Sequence, residues 1–120
     1  MVRITLETHG LIRTISGIAT KEEMDASALS IQGNPRLDEM RYNIHDFTAL
    51  VELNLDETDI EIFAARANVA VKNNPRLKIA FVGQHKIAHQ LMNAFNNTGY
   101  SSNKVLRFDT LDEARAYACR

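Results

Sequence analysis

Three times in this chain a threonine stands three residues ahead of a glutamate, and each pair opens a segment of helical period: Thr20 with Glu23, Thr58 with Glu61, Thr110 with Glu113. At that spacing a hydroxyl and a carboxylate satisfy each other's exposed backbone donors, so each pair predicts a helix start. The first helix sets Met24, Ser27, Ala28 and Ile31 on one face. The second, capped by Asp56 or Thr58, carries the stripe Ile60, Phe63, Ala64, Ala67 and Val71. Another helix, in "QHKIAHQLMNAFNNTG", buries Ile87, Ala88, Leu91, Met92 and Phe95, with Gly99 as a left-handed stop, and "TLDEARAYA" is the last.

Between the helices the period changes to two. Val2, Ile4 and Leu6 alternate with Arg3, Thr5 and Glu7, and the turn "THG" joins them to the apolar run Leu11 to Ser16 as a hairpin. "RYNIHDFTALVELNL" reads as a buried strand running into a loop, with Tyr42 and Ile44 on one side and Asn43, His45 and Phe47 on the other. "RLKIAFVG" and "NKVLRFDT" complete the set. The order ββαβαβαβα predicts an α/β fold: a single domain over 1–120, with a mixed sheet of about five strands packed by about four helices.

The tetrapeptide "NPRL" stands at Asn34 to Leu37 and at Asn74 to Leu77, and holds the only two prolines. Each copy follows a helix and precedes a strand. Proline denies the preceding asparagine an α conformation and cannot continue the ladder, so the tetrapeptide is helix punctuation in preference to a repeated motif, with Arg36 and Arg76 at the strands' entry ends.

Charge and composition exclude several classes. With 14 Lys and Arg against 15 Asp and Glu, no positive excess exists to neutralise a phosphate backbone, and nucleic-acid binding is not expected. The alternating N-terminus lacks the apolar run of a signal peptide, and no window approaches the about 18 apolar residues of a membrane span. The one cysteine, Cys119, permits no internal disulfide and suits a reducing cytoplasm.

The element order, together with "ISGIATKEEM", "YNIHDFTAL" and "VLRFDTLDEARAYA", resembles the SpoIIAA-like branch of the STAS superfamily, which includes anti-anti-sigma factors and the cytoplasmic domains of sulfate transporters. The resemblance spans nearly the whole chain and implies a non-enzymatic, cytoplasmic regulatory module acting through a protein partner. In anti-anti-sigma factors a serine within Asp-Ser-Ser-Gly near the start of the second helix is phosphorylated. The matching stretch is Asp56-Glu57-Thr58-Asp59, which makes Thr58 the phospho-switch candidate; Glu57 replaces the first serine and Asp59 the glycine. Comparison of this branch with SEC14-type lipid carriers implies an alternative, a binder of a small, partly lipophilic ligand.

Catalytic and metal chemistry find little support. His85 and His89 stand one helical turn apart without an evident third ligand, and His45 and Asp46, as strand neighbours, point to opposite faces. No enzyme, metal or cofactor is expected. Open α/β sheets bind ligands beyond the carboxyl ends of their parallel strands, which makes Asp46, Thr48, Gln84 and His85 the candidates for a small-molecule site. The second helix has a second apolar side, Ile62, Ala65 and Val69, bordered by Arg66. It is covered either by a neighbouring helix or by another protein or a second copy of the chain.

Overall fold

In the computed structural model, residues 1–97 and 105–119 are described. The chain runs β1 (Val2–Leu6), β2 (Gly10–Ile15), β3 (Gly17–Ala19), α1 (Lys21–Gln32), β4 (Tyr42–Asp46), β5 (Leu50–Leu53), α2 (Glu57–Asn73), β6 (Lys78–Val82), α3 (Lys86–Asn97), β7 (Leu106–Phe108) and α4 (Leu111–Ala118). A five-stranded mixed sheet has the order β1-β2-β4-β6-β7: β1 is antiparallel to β2, and the remaining pairs are parallel. The four expected helices and the opening hairpin are present. The expected stop at Gly99 lies outside the described residues.

Parity along the strands assigns the two faces. Ile12, Tyr42, Ile44, Ala80 and Val82 meet Ala114 and Ala118 of α4 on one side. Leu11, Ile15, Phe47, Ile79 and Phe81 face the other, where α1 contributes Met24 and Ile31, α2 Ala64 and Val71, and α3 Ile87, Leu91 and Phe95. Glu7 ties α4 to the β1–β2 turn, since its carboxylate accepts from both terminal nitrogens of Arg115 at 2.9 and 2.7 Å and from the Tyr42 hydroxyl at 2.6 Å. The Arg115 bond holds the Glu7 carboxyl below its usual range, and burial, with Glu7 beside it, pushes the Tyr42 phenol up to about 12.

Two short strands went unforeseen. β3 and β5, read as connections, pair in parallel as a separate two-stranded ladder. Gly17, at φ 62°, turns the chain out of line with β2, a conformation that favours glycine. Three and four residues are too short for periodicity to register.

The cap of α2 is a correction of a different kind. Thr20 and Glu23 form the expected reciprocal box at α1, and the Thr110 hydroxyl accepts from the Glu113 N–H at α4. At α2 the box is Asp56 with Asp59, and Thr58 lies inside the first turn rather than capping it. Asp56→Ala is therefore expected to cost about 0.5–2 kcal/mol, while Thr58→Ala stays within about 0.5 kcal/mol, as urea unfolding of both variants would read.

Both "NPRL" copies lie at the entry ends of the parallel strands, and the second braces the first. The Asn74 side chain, 4% exposed, donates from Nδ2 to the carbonyls of Leu37 and Met40 at 3.2 and 2.6 Å. The second copy runs directly into β6. The first enters a short 3-10 turn at Leu37–Glu39 before β4, a detour the sequence reading did not include.

Candidate functional site

The loops at the carboxyl ends of β4 and β6 touch, as expected of neighbouring parallel strands. Phe47 N–H donates to the Val82 carbonyl at 2.9 Å, and Gly83, at φ 110°, lies so close that a Cβ there would sit 3.2 Å from the Thr48 nitrogen. The polar side chains on these loops turn to partners inside the protein. Asp46 Oδ1 accepts from the Thr48 N–H at 2.9 Å and its hydroxyl at 2.6 Å. Gln84 donates to Asp109 at 3.1 Å, and Arg107 reaches the same carboxylate at 2.8 Å. His85 Nδ1 accepts from the Ile87 N–H at 3.1 Å, and its Nε2 lies 3.3 Å from the Val51 carbonyl. Asp46, Thr48, Gln84 and His85 thus share one end of the sheet, each engaged in local turn and cap bonding.

Thr58 is exposed in the first turn of α2. Its neighbours Asp56, Glu57, Asp59 and Glu61 are acidic, and Lys21 lies 3.8 Å from Asp59. A helix N-terminus attracts an anion, and these carboxylates oppose one. Further along, Ile62 is 42% and Val69 55% exposed, with exposed Ala65 between them. No helix among the described residues covers this side. Arg66 leaves it to pair with Asp25 of α1 at 2.9 Å, and that pair together with the Lys21–Asp59 contact joins the two helices across their gap.

A third group of side chains was missed as a site. The register sets Arg13 of β2 beside His45 of β4, and His45 beside Phe81 of β6, with Asn43 one row away on the same face. All three polar residues are buried: Arg13 is 2%, Asn43 5% and His45 6% exposed. The Arg13 guanidinium donates to the Met24 carbonyl at 2.6 Å and lies 5.8 Å from the Phe63 ring centre, yet it forms no ion pair among the described residues. Arg13 Nε, Asn43 Oδ1 and His45 Nδ1 have no hydrogen-bond partner among the described residues. A buried cation that forms no ion pair is costly, which is why desolvation, helped by the charge of Arg66 and only partly offset by that of Asp25, lowers the Arg13 pKa to about 10. Desolvation, with Arg13 adjoining, holds the His45 pKa well below its ordinary value, so the imidazole is neutral.

These three residues line a cavity of ≈ 60 Å³ between the sheet and the helices, whose other walls include Ile31, Phe63, Ala67, Ile79, Phe81 and Phe95. Gln32 is the one exposed residue of the lining and marks the α1–α2 gap as its mouth. The available signal was Arg13 inside the apolar run "LIRTI", in the same parity as Leu11 and Ile15.

No family model matches the sequence, and no curated protein matches it either. Solved structures match its fold. SpoIIAA, the Bacillus cell fate determinant, in its phosphorylated form, superposes with a TM-score of 0.68 at 11% identity, over 98% of each chain. An uncharacterised protein of Shewanella loihica with a SpoIIAA-like fold gives a TM-score of 0.62 at 16% identity, covering 99% of this chain and 93% of that one. The fold is SpoIIAA-like, as the sequence resemblance implied.

Proposed function

We propose that this chain is a non-enzymatic regulatory module that binds a protein partner, or a second copy of itself, through the outer side of α2 and the loop before it. The observation that carries this reading is the exposure of Ile62 and Val69 one above the other on a helix whose opposite side is already packed in the core. The fold shared with a cell fate determinant supports it. In the fuller form of the reading, the module acts in the cytoplasm and Thr58, exposed at the head of the same helix, is its modifiable residue, as the phosphorylated form of that structural neighbour suggests.

Replacing Ile62 and Val69 together by Glu is expected to abolish association while leaving the unfolding midpoint within a few degrees of the parent. Exposed positions tolerate the charge, and an apolar interface does not. Molar mass in solution, with co-purification from the native cell, provides the reading; a double variant that keeps every association of the parent overturns the proposal. If Thr58 stays unmodified after incubation with the cognate kinase, the switch is removed and the interaction surface is left standing.

A second reading, the binding of a small, partly lipophilic ligand, is favoured by the cavity under α1 and α2, whose walls are mostly apolar and whose floor carries unpaired polar atoms.

A further inference from the structure

We infer that the cavity over Arg13 is a binding site for a short-chain monocarboxylate, with the carboxylate on the guanidinium and the alkyl end against Phe63, Ala67 and Ile79. The inference rests on the ligand reading given above and names the class of ligand. Charge sets the head group. Arg13 is the buried cation at the floor, His45 beside it is neutral, and Nε of Arg13 is a free donor. Arg66, which also lines the cavity, is paired with Asp25, so one unpaired positive charge is left to match one carboxylate. A phosphate near −2, with more acceptor oxygens, would remain undercompensated in so apolar a space.

The remaining polar atoms fit the second carboxylate oxygen. His45 donates from Nδ1 in one neutral tautomer, and a half-turn of the Asn43 amide presents its NH₂ where Oδ1 lies. Size sets the tail. A cavity of ≈ 60 Å³ has room for roughly four or five water-sized groups, which corresponds to acids of about two to four carbons. Entry lies between α1 and α2, where Gln32 reaches solvent and the Asp25–Arg66 and Lys21–Asp59 contacts bridge the helices. Both ion pairs are partly open to solvent, where screening keeps the cost of parting them small.

The test is an NMR titration of the whole chain with sodium propionate, with propionamide as the uncharged isostere and sodium chloride at matched ionic strength. Propionate is expected to shift the methyl signals of Ile31, Ile79 and Ala67 saturably, and propionamide to bind at least about tenfold more weakly, because charge-assisted bonds are lost. Arg13→Met should abolish the preference for the acid, and Ala67→Leu, which fills the space but keeps the guanidinium, should abolish binding of both. Equal affinity for propionate and propionamide overturns the carboxylate assignment and leaves the lipophilic-ligand reading intact. No saturable shift from either compound overturns both. The wild-type comparison decides the matter even where a variant fails to fold.

Discussion

Phe81→Ala is expected to lower stability by about 3–5 kcal/mol, the range for removing a buried aromatic ring from a packed core. Phe81 is 1% exposed on the interior strand β6, and its ring meets His45, Phe47 and Phe63 edge-on at centroid distances of 5.3, 5.5 and 6.2 Å. Edge-to-face pairs contribute beyond the buried area. A domain stable by about 5–15 kcal/mol loses a large share of its margin through this one change. Urea unfolding should show a lower midpoint with an unchanged slope. A loss below about 1.5 kcal/mol would mean that the ring is not the centre of this packing.

Acid should destabilise the fold well before its carboxylates titrate. Burial keeps the folded-state pKa of His45 far below the value near 6.5 of an unfolded chain. A depressed folded pKa gives stability that is complete above the unfolded value and is lost as pH falls, because the unfolded chain takes up a proton that the folded one refuses. The loss is expected to set in as pH falls through the unfolded value near 6.5 and to grow as the pH is lowered further. The carboxyls of Glu7, held down by its bond from Arg115, and Asp25, held down by its bond from Arg66, act in the same direction only below roughly pH 4.5. The window from pH 6.5 to 5 therefore isolates the imidazole. His45→Leu should flatten the dependence there, as urea midpoints at pH 7.5, 6 and 5 would show. A wild type whose midpoint is the same at all three values would contradict the burial of a neutral His45.

The caps show how far a local pattern reaches. Thr20–Glu23 and Thr110–Glu113 each had one good pair at the helix start, and the helices began there. At α2 two pairs of equal spacing, Asp56–Asp59 and Thr58–Glu61, overlapped by two residues, and spacing alone offered no choice between them. The path of the chain out of β5 made Asp56 the last extended residue, with φ −82° and ψ 176°.

Site residues follow a similar division. The placement of Asp46, Thr48, Gln84 and His85 at one end of the sheet was legible from strand order, since parallel strands bring their carboxyl ends together. The bonds of Gln84 to Asp109 and of His85 to the Val51 carbonyl were not, because these partners lie 25 and 34 positions away. The exposure of Ile62 and Val69 likewise depended on where α1 and α3 settle around α2.

By itself, the sequence determined the alternation of strands and helices, the division of each strand into two faces, and the punctuation that separates them. Those properties depend on residues a few positions apart, whose relation is set by the fixed periods of helix and strand. The tertiary structure alone decided that Arg13, Asn43 and His45 gather on one face beneath α1 and α2, and that their polar atoms border a cavity there. Arg13 and His45 are 32 positions apart and become neighbours only through the register of β2 against β4. The cost of burying them depends on a low-dielectric surrounding that no local stretch of sequence contains.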